Sequence, residues 1–216
     1  MFFVSFIEKR VDYLFLLLYI IAMRIIAGVK RGMKLFSPQT DLSRPILDRV
    51  KQSLFDCLTK YDMPAGKTVA DLFCGVGSLG LEALSRGAEF VAFVEKDPKA
   101  ASILKKNIGK AGFEKQSRII ITDAFKTGAA PVAGKPKYDL VFVDPPYLRT
   151  NDVGIGSDLD KLLKILVDQA DNNALVIVRT HKKILLPDIY GGFKIIERRE
   201  WGSMAITFLV RKDNDK

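Results

Sequence analysis

Apolar residues along this chain follow two rhythms, and the switch from one to the other marks out its elements. Short unbroken runs read as strands buried on both faces: "TVADLF" (68–73), "EFVAFVE" (89–95), "SRIIIT" (117–122), "YDLVFV" (138–143) and "ALVIVR" (174–179). Segments of helical period lie between them. "SLGLEALSRG" (78–87) closes on Gly87, and "DPKAASILKKNIGKAG" (97–112) opens with Pro98 in its first turn and ends near Gly112. "SDLDKLLKILVDQA" (157–170) is a further helix. Upstream, Leu47, Val50, Leu54 and Leu58 fall at helical spacing. Before that helix, "RIIAGVKRGMKLF" (24–36) places two apolar segments around Lys30-Arg31-Gly32, which predicts a small hairpin with a basic turn. The chain finishes with "FKIIERRE" (193–200) and "MAITFLV" (204–210), a predicted antiparallel pair.

Strands alternating with helices predict an α/β fold with a mostly parallel sheet covered on both faces. In such sheets ligands sit beyond the carboxyl ends of the strands, near the point where strand order reverses. The loops after each strand are therefore where chemistry is expected.

Composition adds a partner class. The chain has 216 residues and a net charge of +9, which points to a polyanion, most simply nucleic acid. The basic surplus concentrates in residues 23–60, while residues 1–22 are balanced. Arg31, Lys34, Arg44, Arg49 and Lys51 are accordingly the candidate phosphate contacts. Cys57 and Cys74 fit neither a disulfide framework nor a zinc spacing, which suggests a reducing cytoplasm and no metal site. The apolar run "YLFLLLYIIA" (13–22) is about half the roughly 20 residues needed to span a bilayer. It reads as an extension outside the fold, with Met23 as the working start and no stable membrane association. No exposed heptad pattern suggests a dimer, so a monomer is expected.

Two loops carry the candidate chemistry. After the first strand, "DLFCGVGSLG" (71–80) places Gly75, Gly77 and Gly80 in a G-x-G-x-x-G pattern, with Glu95 at the end of the next strand. This suits an adenosine-containing ligand, either a dinucleotide or S-adenosylmethionine. Asp71, Glu95 and Asp123, at three successive strand ends, favour a ligand with a sulfonium, an ammonium and ribose hydroxyls over one with two phosphates. Asp123-Ala124 offers an acid-plus-backbone pair for an adenine edge.

The fourth strand ends in Asp144-Pro145-Pro146-Tyr147. Two prolines lack N–H groups and stiffen the loop, so it presents carbonyl oxygens without competing donors. An ionised Asp144 is also acceptor-only. Such a surface matches an exocyclic amine, whose two hydrogens it can accept, and Tyr147 can stack on an unstacked base. His181, the single histidine, reads as a surface loop residue, and Trp201 as packing. A nicotinamide-dependent dehydrogenase would explain the glycine loop and leave the Asp-Pro-Pro-Tyr loop unexplained. An RNA-binding factor without catalysis would not need the acids.

Together these motifs resemble the class I S-adenosylmethionine-dependent methyltransferases that modify amino groups, whose signature is Asp/Asn-Pro-Pro-Tyr/Phe. The chain is more specifically similar to the RsmD family, which methylates N2 of a guanine in small-subunit (16S) ribosomal RNA. "MRIIAGVKRGMKL", "RPILDRVKQSLFDCL", "DLFCGVGSLGLEALSRGA", "VFVDPPY" and "REWGSMAITF" carry the likeness across residues 23–210. The resemblance implies a Rossmann-like, seven-stranded methyltransferase domain over 63–216 and an RNA-holding extension over 23–62. It implies a cofactor site at Asp71, Leu72, Phe73, Cys74, Gly75, Gly77 and Lys96, with Glu95 at the ribose, Asp123-Ala124 at the adenine, and Asp144 bordering the cofactor. The amine site would be Asp144, Pro145, Pro146 and Tyr147. The partner would be 16S ribosomal RNA or the assembling small subunit. Ile46, Lys51-Gln52 and Met204 of Gly202-Ser203-Met204 depart from the family pattern, which bears on RNA contact and leaves the reaction itself intact. Within the same chemistry, an adenine N6 or another nucleic-acid amine stays open as the target.

Overall fold

The computed structural model describes residues 23–37 and 46–212. The apolar run 13–22 and Arg44 lie outside the described residues.

Five strands run parallel: β1 (Thr68–Leu72), β2 (Phe90–Glu95), β3 (Ser117–Ile121), β4 (Tyr138–Val143) and β5 (Ala170–His181). Three more, β6 (Ile189–Tyr190), β7 (Phe193–Trp201) and β8 (Met204–Arg211), join antiparallel and give the order β3-β2-β1-β4-β5-β8-β7-β6. The two-residue β6 extends the expected seven-strand sheet to eight. The order turns back between β1 and β4, so the loops that follow these two strands face one crevice.

Helices cover both faces. On one side pack α1 (Asp48–Leu58), α2 (Ser78–Ser85) and α3 (Pro98–Ala111). Their apolar residues, including Leu54, Leu81 and Leu104, meet Val69, Val91, Phe93, Phe142 and Ile177 from the sheet. On the other side α4 (Ala124–Thr127) and α5 (Asp158–Gln169) cover Leu72, Val94, Val141, Val143 and Val178. Every residue of β1 is buried, as a strand sandwiched between two helical layers requires. The helix ends follow their local signals. Asp97 caps α3 by accepting the Lys99 N–H, Pro98 occupies its first turn, and Gly112 closes it in the left-handed region.

The N-terminal segment 24–36 folds back as expected, although its pairing is slight: an antiparallel bridge Arg24–Lys34, with a 3-10 turn Gly28–Lys30 at the bend. Ile25 and Leu35 insert into the same apolar cluster as α1 and α2. Gly28, at φ 75, lies so close to α2 that an added Cβ would sit 1.8 Å from the Ser85 carbonyl oxygen. Only a glycine allows this contact.

Candidate active site

The glycine loop is built by strain and by an acid. At the end of β1, Phe73 adopts a left-handed conformation at φ 59, costly for an aromatic residue, and rests its ring 4.7 Å from that of Phe125. Gly75 (φ 54) and Gly77 (φ 88) then turn the chain into α2. Glu95 braces this turn: one carboxylate oxygen accepts the Gly75 N–H at 2.9 Å and the other accepts the Asp97 N–H at 2.8 Å. Each oxygen retains a second lone pair on a half-buried side chain, which is what two ribose hydroxyls require. Asp123 caps α4 by accepting the Phe125 N–H, leaving Ala124 buried beside it. Lys96 is exposed, and burial pushes the Cys74 thiol well above its ordinary range, so it carries no thiolate.

Asp71 bears on the choice between the two adenosine ligands. It is 1% exposed, and its Oδ2 accepts the Gly80 N–H at 2.8 Å in the first turn of α2. A carboxylate therefore stands at the helix N-terminus where a dinucleotide would place its pyrophosphate. Burial pushes Asp71 up to about 8 against the Gly80 hydrogen bond, with the charges of Asp144 and Glu95 adding to the rise. A cation bound nearby would relieve this. Space for a ligand exists in front of Gly75, where an added Cβ meets nothing within 4 Å. The donor-poor, acid-rich set thus fits the sulfonium, ammonium and ribose of S-adenosylmethionine.

Asp144 emerges beside that loop. Its N–H points at the Leu72 carbonyl at 3.5 Å, which ties the end of β4 to the end of β1. Pro145 is buried, Pro146 is exposed, and Tyr147 opens a 3-10 turn, Tyr147–Thr150. The carboxylate borders a narrow cleft walled by Ile46, Leu54, Leu79, Phe142, Ile177 and Ile206. Burial raises Asp144 above the usual carboxylate range, while Arg179 opposes the rise.

Arg179 was not among the residues the sequence pattern singles out. Its Nε donates to Asp144 Oδ1 at 2.5 Å, and its guanidinium lies 5.9 Å from the centre of the Tyr147 ring. His181, expected on a surface loop, instead ends β5 half-buried, with its ring edge-on to Tyr147 at 6.0 Å. Trp201 packs against the core, as read.

The N-terminal segment is locked onto α2 and α3. Lys51 departs from its expected role as a phosphate contact because it is 1% exposed. Its ammonium donates to the Arg24 carbonyl at 2.6 Å and to Ser78 Oγ at 3.2 Å, and lies 3.6 Å from Glu82. Desolvation lowers its pKa, partly offset by the Glu82 charge. Glu82, fully buried in α2, accepts the N–H groups of Ile26 and Ala27 at 2.8 and 3.0 Å and pairs with Arg86 at 2.8 Å. Asn107 forms a second tie: it accepts the Phe36 N–H and donates to the carbonyls of Phe36 and Val76, the latter within the glycine loop. Arg31, Lys34 and Arg49 are exposed.

Comparison with known proteins finds similar chains. "Ribosomal RNA small subunit methyltransferase D" of Escherichia coli K12 is 32% identical over 194 residues, covering 88% of this chain and 90% of the relative. The protein of the same name from Haemophilus influenzae is 39% identical over 125 residues, covering 58% of this chain and 64% of the relative. A solved structure of an Escherichia coli protein superposes with a TM-score of 0.71 at 29% identity, covering 88% of this chain and 98% of that one. Residues 23–210 match the family described as "Conserved hypothetical protein 95", so the acid-lined glycine loop and the Asp-Pro-Pro-Tyr loop belong to a member of that family, the RsmD methyltransferases.

Proposed function

We propose that this protein transfers the methyl group of S-adenosylmethionine to the exocyclic N2 amine of a guanine in small-subunit ribosomal RNA, acting in the cytoplasm as a monomer. The observation that carries this reading is the Asp144 carboxylate, fixed one strand away from the acid-lined loop by the contact between its backbone and Leu72. The names of the Escherichia coli and Haemophilus influenzae relatives support the RNA class.

Edge chemistry supports guanine. Guanine places N1–H beside the two N2–H donors, and the two oxygens of a carboxylate with the Pro145 carbonyl can take all three, one carboxylate oxygen facing N1–H. Adenine sets the acceptor N1 beside its amine and would leave one lone pair facing another. A ring amine is a poor nucleophile because its lone pair is delocalised. Holding both its hydrogens on Asp144 and the Pro145 carbonyl biases the nitrogen toward a tetrahedral shape and aims the lone pair. When bound, S-adenosylmethionine supplies an electrophilic methyl on a sulfonium that departs as a neutral thioether. The nitrogen becomes cationic as it gains the methyl, and its proton then leaves through Asp144 or water. Asp71 and Glu95 hold the cofactor, while Tyr147 stacks on the extruded base. Arg31, Lys34 and Arg49, with Arg44 from outside the described residues, hold phosphates.

Transfer of labelled methyl to purified small subunits, naked ribosomal RNA and duplex DNA tests the proposal. N2-methylguanosine is expected, with label lost in Asp144→Ala while cofactor binding persists. Label mainly on adenine, or undiminished turnover in that variant, would overturn it.

A further inference from the structure

We propose that Arg179 is the positioning residue of the amine site: bonded to Asp144 and lying over Tyr147, it holds the carboxylate charged and aimed as an acceptor. This rests on the functional reading above and adds a residue to it. The geometry comes from the sheet itself. β4 and β5 are parallel neighbours with Val143 opposite Val178, so Asp144 and Arg179 continue this register one step beyond. Both line the same cleft together with Phe142 and Ile177. The Nε–Oδ1 separation is 2.5 Å, with side chains 14% and 18% exposed.

The need for such a partner follows from the walls. Ile46, Leu54, Leu79, Phe142, Ile177 and Ile206 offer a carboxylate no solvation. Asp71, on the adjacent β1, is a second acid whose charge is coupled to that of Asp144. The apolar walls therefore favour a protonated Asp144, whereas Asp71, pushed up to about 8 partly by the charge of Asp144, holds its own proton at neutral pH. A protonated carboxyl turns an O–H donor toward an amine that is itself a donor, which removes the acceptor the reaction needs. Among the described residues, the charged and titratable groups facing this carboxylate are Asp71 from β1 and Arg179 from β5, with Tyr147 at the mouth and His181 behind that ring. The elements packed over the cleft from the extension, α2 and β8 contribute Ile46, Leu54, Leu79 and Ile206, all apolar. Among the described residues, Arg179 is the group that opposes protonation of Asp144, through both its charge and its hydrogen bond. The guanidinium also leaves Asp144 Oδ2 oriented, because Nε fixes Oδ1 in a directed bond.

The test uses the full chain with Arg179→Met and Arg179→Lys. Carbon-13 NMR of aspartate carboxyls, assigned for Asp144 with Asp144→Asn, follows its titration without any substrate. Single-turnover methyl transfer to small subunits gives the pH profile, and calorimetry with S-adenosylmethionine reports whether each variant keeps its fold and cofactor site. Arg179→Met is expected to move both the Asp144 midpoint and the acid limb of the rate upward by at least about one pH unit. That shift is about a tenfold rate loss at pH values below both midpoints. Arg179→Lys should recover most of the shift, and cofactor affinity should stay within about threefold, since no cofactor contact is removed. An unmoved Asp144 titration in a folded Arg179→Met protein would overturn the proposal, as would equal pH profiles for the Met and Lys variants. Failure of the wild-type protein to label guanine N2 would sink the functional reading instead, leaving the NMR titration to decide the pairing by itself.

Discussion

Replacing Glu82 by alanine should undo the attachment of the N-terminal segment more thoroughly than any other single change in it. The wild-type carboxylate is fully buried and takes four partners: the N–H groups of Ile26 and Ala27, Arg86 Nε and the Lys51 ammonium. Alanine leaves two backbone donors without an acceptor, at about 1–3 kcal/mol each where water cannot reach them. It also strands Lys51, and breaking a buried pair from one side costs about 3–5 kcal/mol. Lys51 can shed part of that cost by losing its proton, since desolvation already lowers its pKa. The expected loss is therefore at least about 4 kcal/mol, a large share of the roughly 5–15 kcal/mol typical of a domain. Lys51→Met should cost less, about 1–3 kcal/mol, because Glu82 keeps Arg86 and both N–H donors and the chief orphan is the Arg24 carbonyl. In the double variant the stranded charge is gone, so the cycle should fall short of additivity by about 1 kcal/mol or more. Urea unfolding of the three variants measures these terms, and amide exchange at Ile26 and Ala27 locates the damage. A Glu82→Ala loss below about 1 kcal/mol, or a strictly additive cycle, would refute the reasoning.

Two further outcomes follow from other sites. Asp71, held at about 8 in the fold, binds its proton more tightly than in the unfolded chain, so its contribution is full below about pH 4, declines as pH rises and levels off above 8. Asp71→Asn keeps an acceptor for Gly80, so its stability relative to wild type should improve by roughly 3 kcal/mol between pH 5.5 and 8.5; parallel stability curves over that range would contradict this. For RNA binding, Arg49→Ala should lower the salt dependence of affinity by about one unit of slope, whereas Lys51→Ala, at a folded concentration, should leave that slope unchanged because its ammonium is spent inside the protein.

The sheet was legible because parallel strands sandwiched between helices appear as bare apolar runs, and β4 matches "YDLVFV" residue for residue. The glycine loop and the Asp-Pro-Pro-Tyr loop were legible because local chemistry defines them. β6 escaped notice since two residues cannot show a period. Arg179 escaped because its importance lies in the β4–β5 register, which no local pattern encodes. Lys51 was misread from its type: a lysine in a basic stretch suggests solvent. The corrective signal was present, because Lys51, Phe55 and Leu58 share one side of α1, and Glu82 stands alone as an acid among the apolar residues of "SLGLEALS".

The Asn107 side chain has a consequence for anyone recombining these proteins. Because one amide grips both Phe36 and Val76, the leader segment and the glycine turn share a joint, and Ile46 and Leu54 furnish one side of the cleft that Asp144 borders. A graft that swaps the first sixty residues for those of a cousin would have to carry matching sockets on the receiving helices, or the transplanted piece would leave the catalyst with a wall missing.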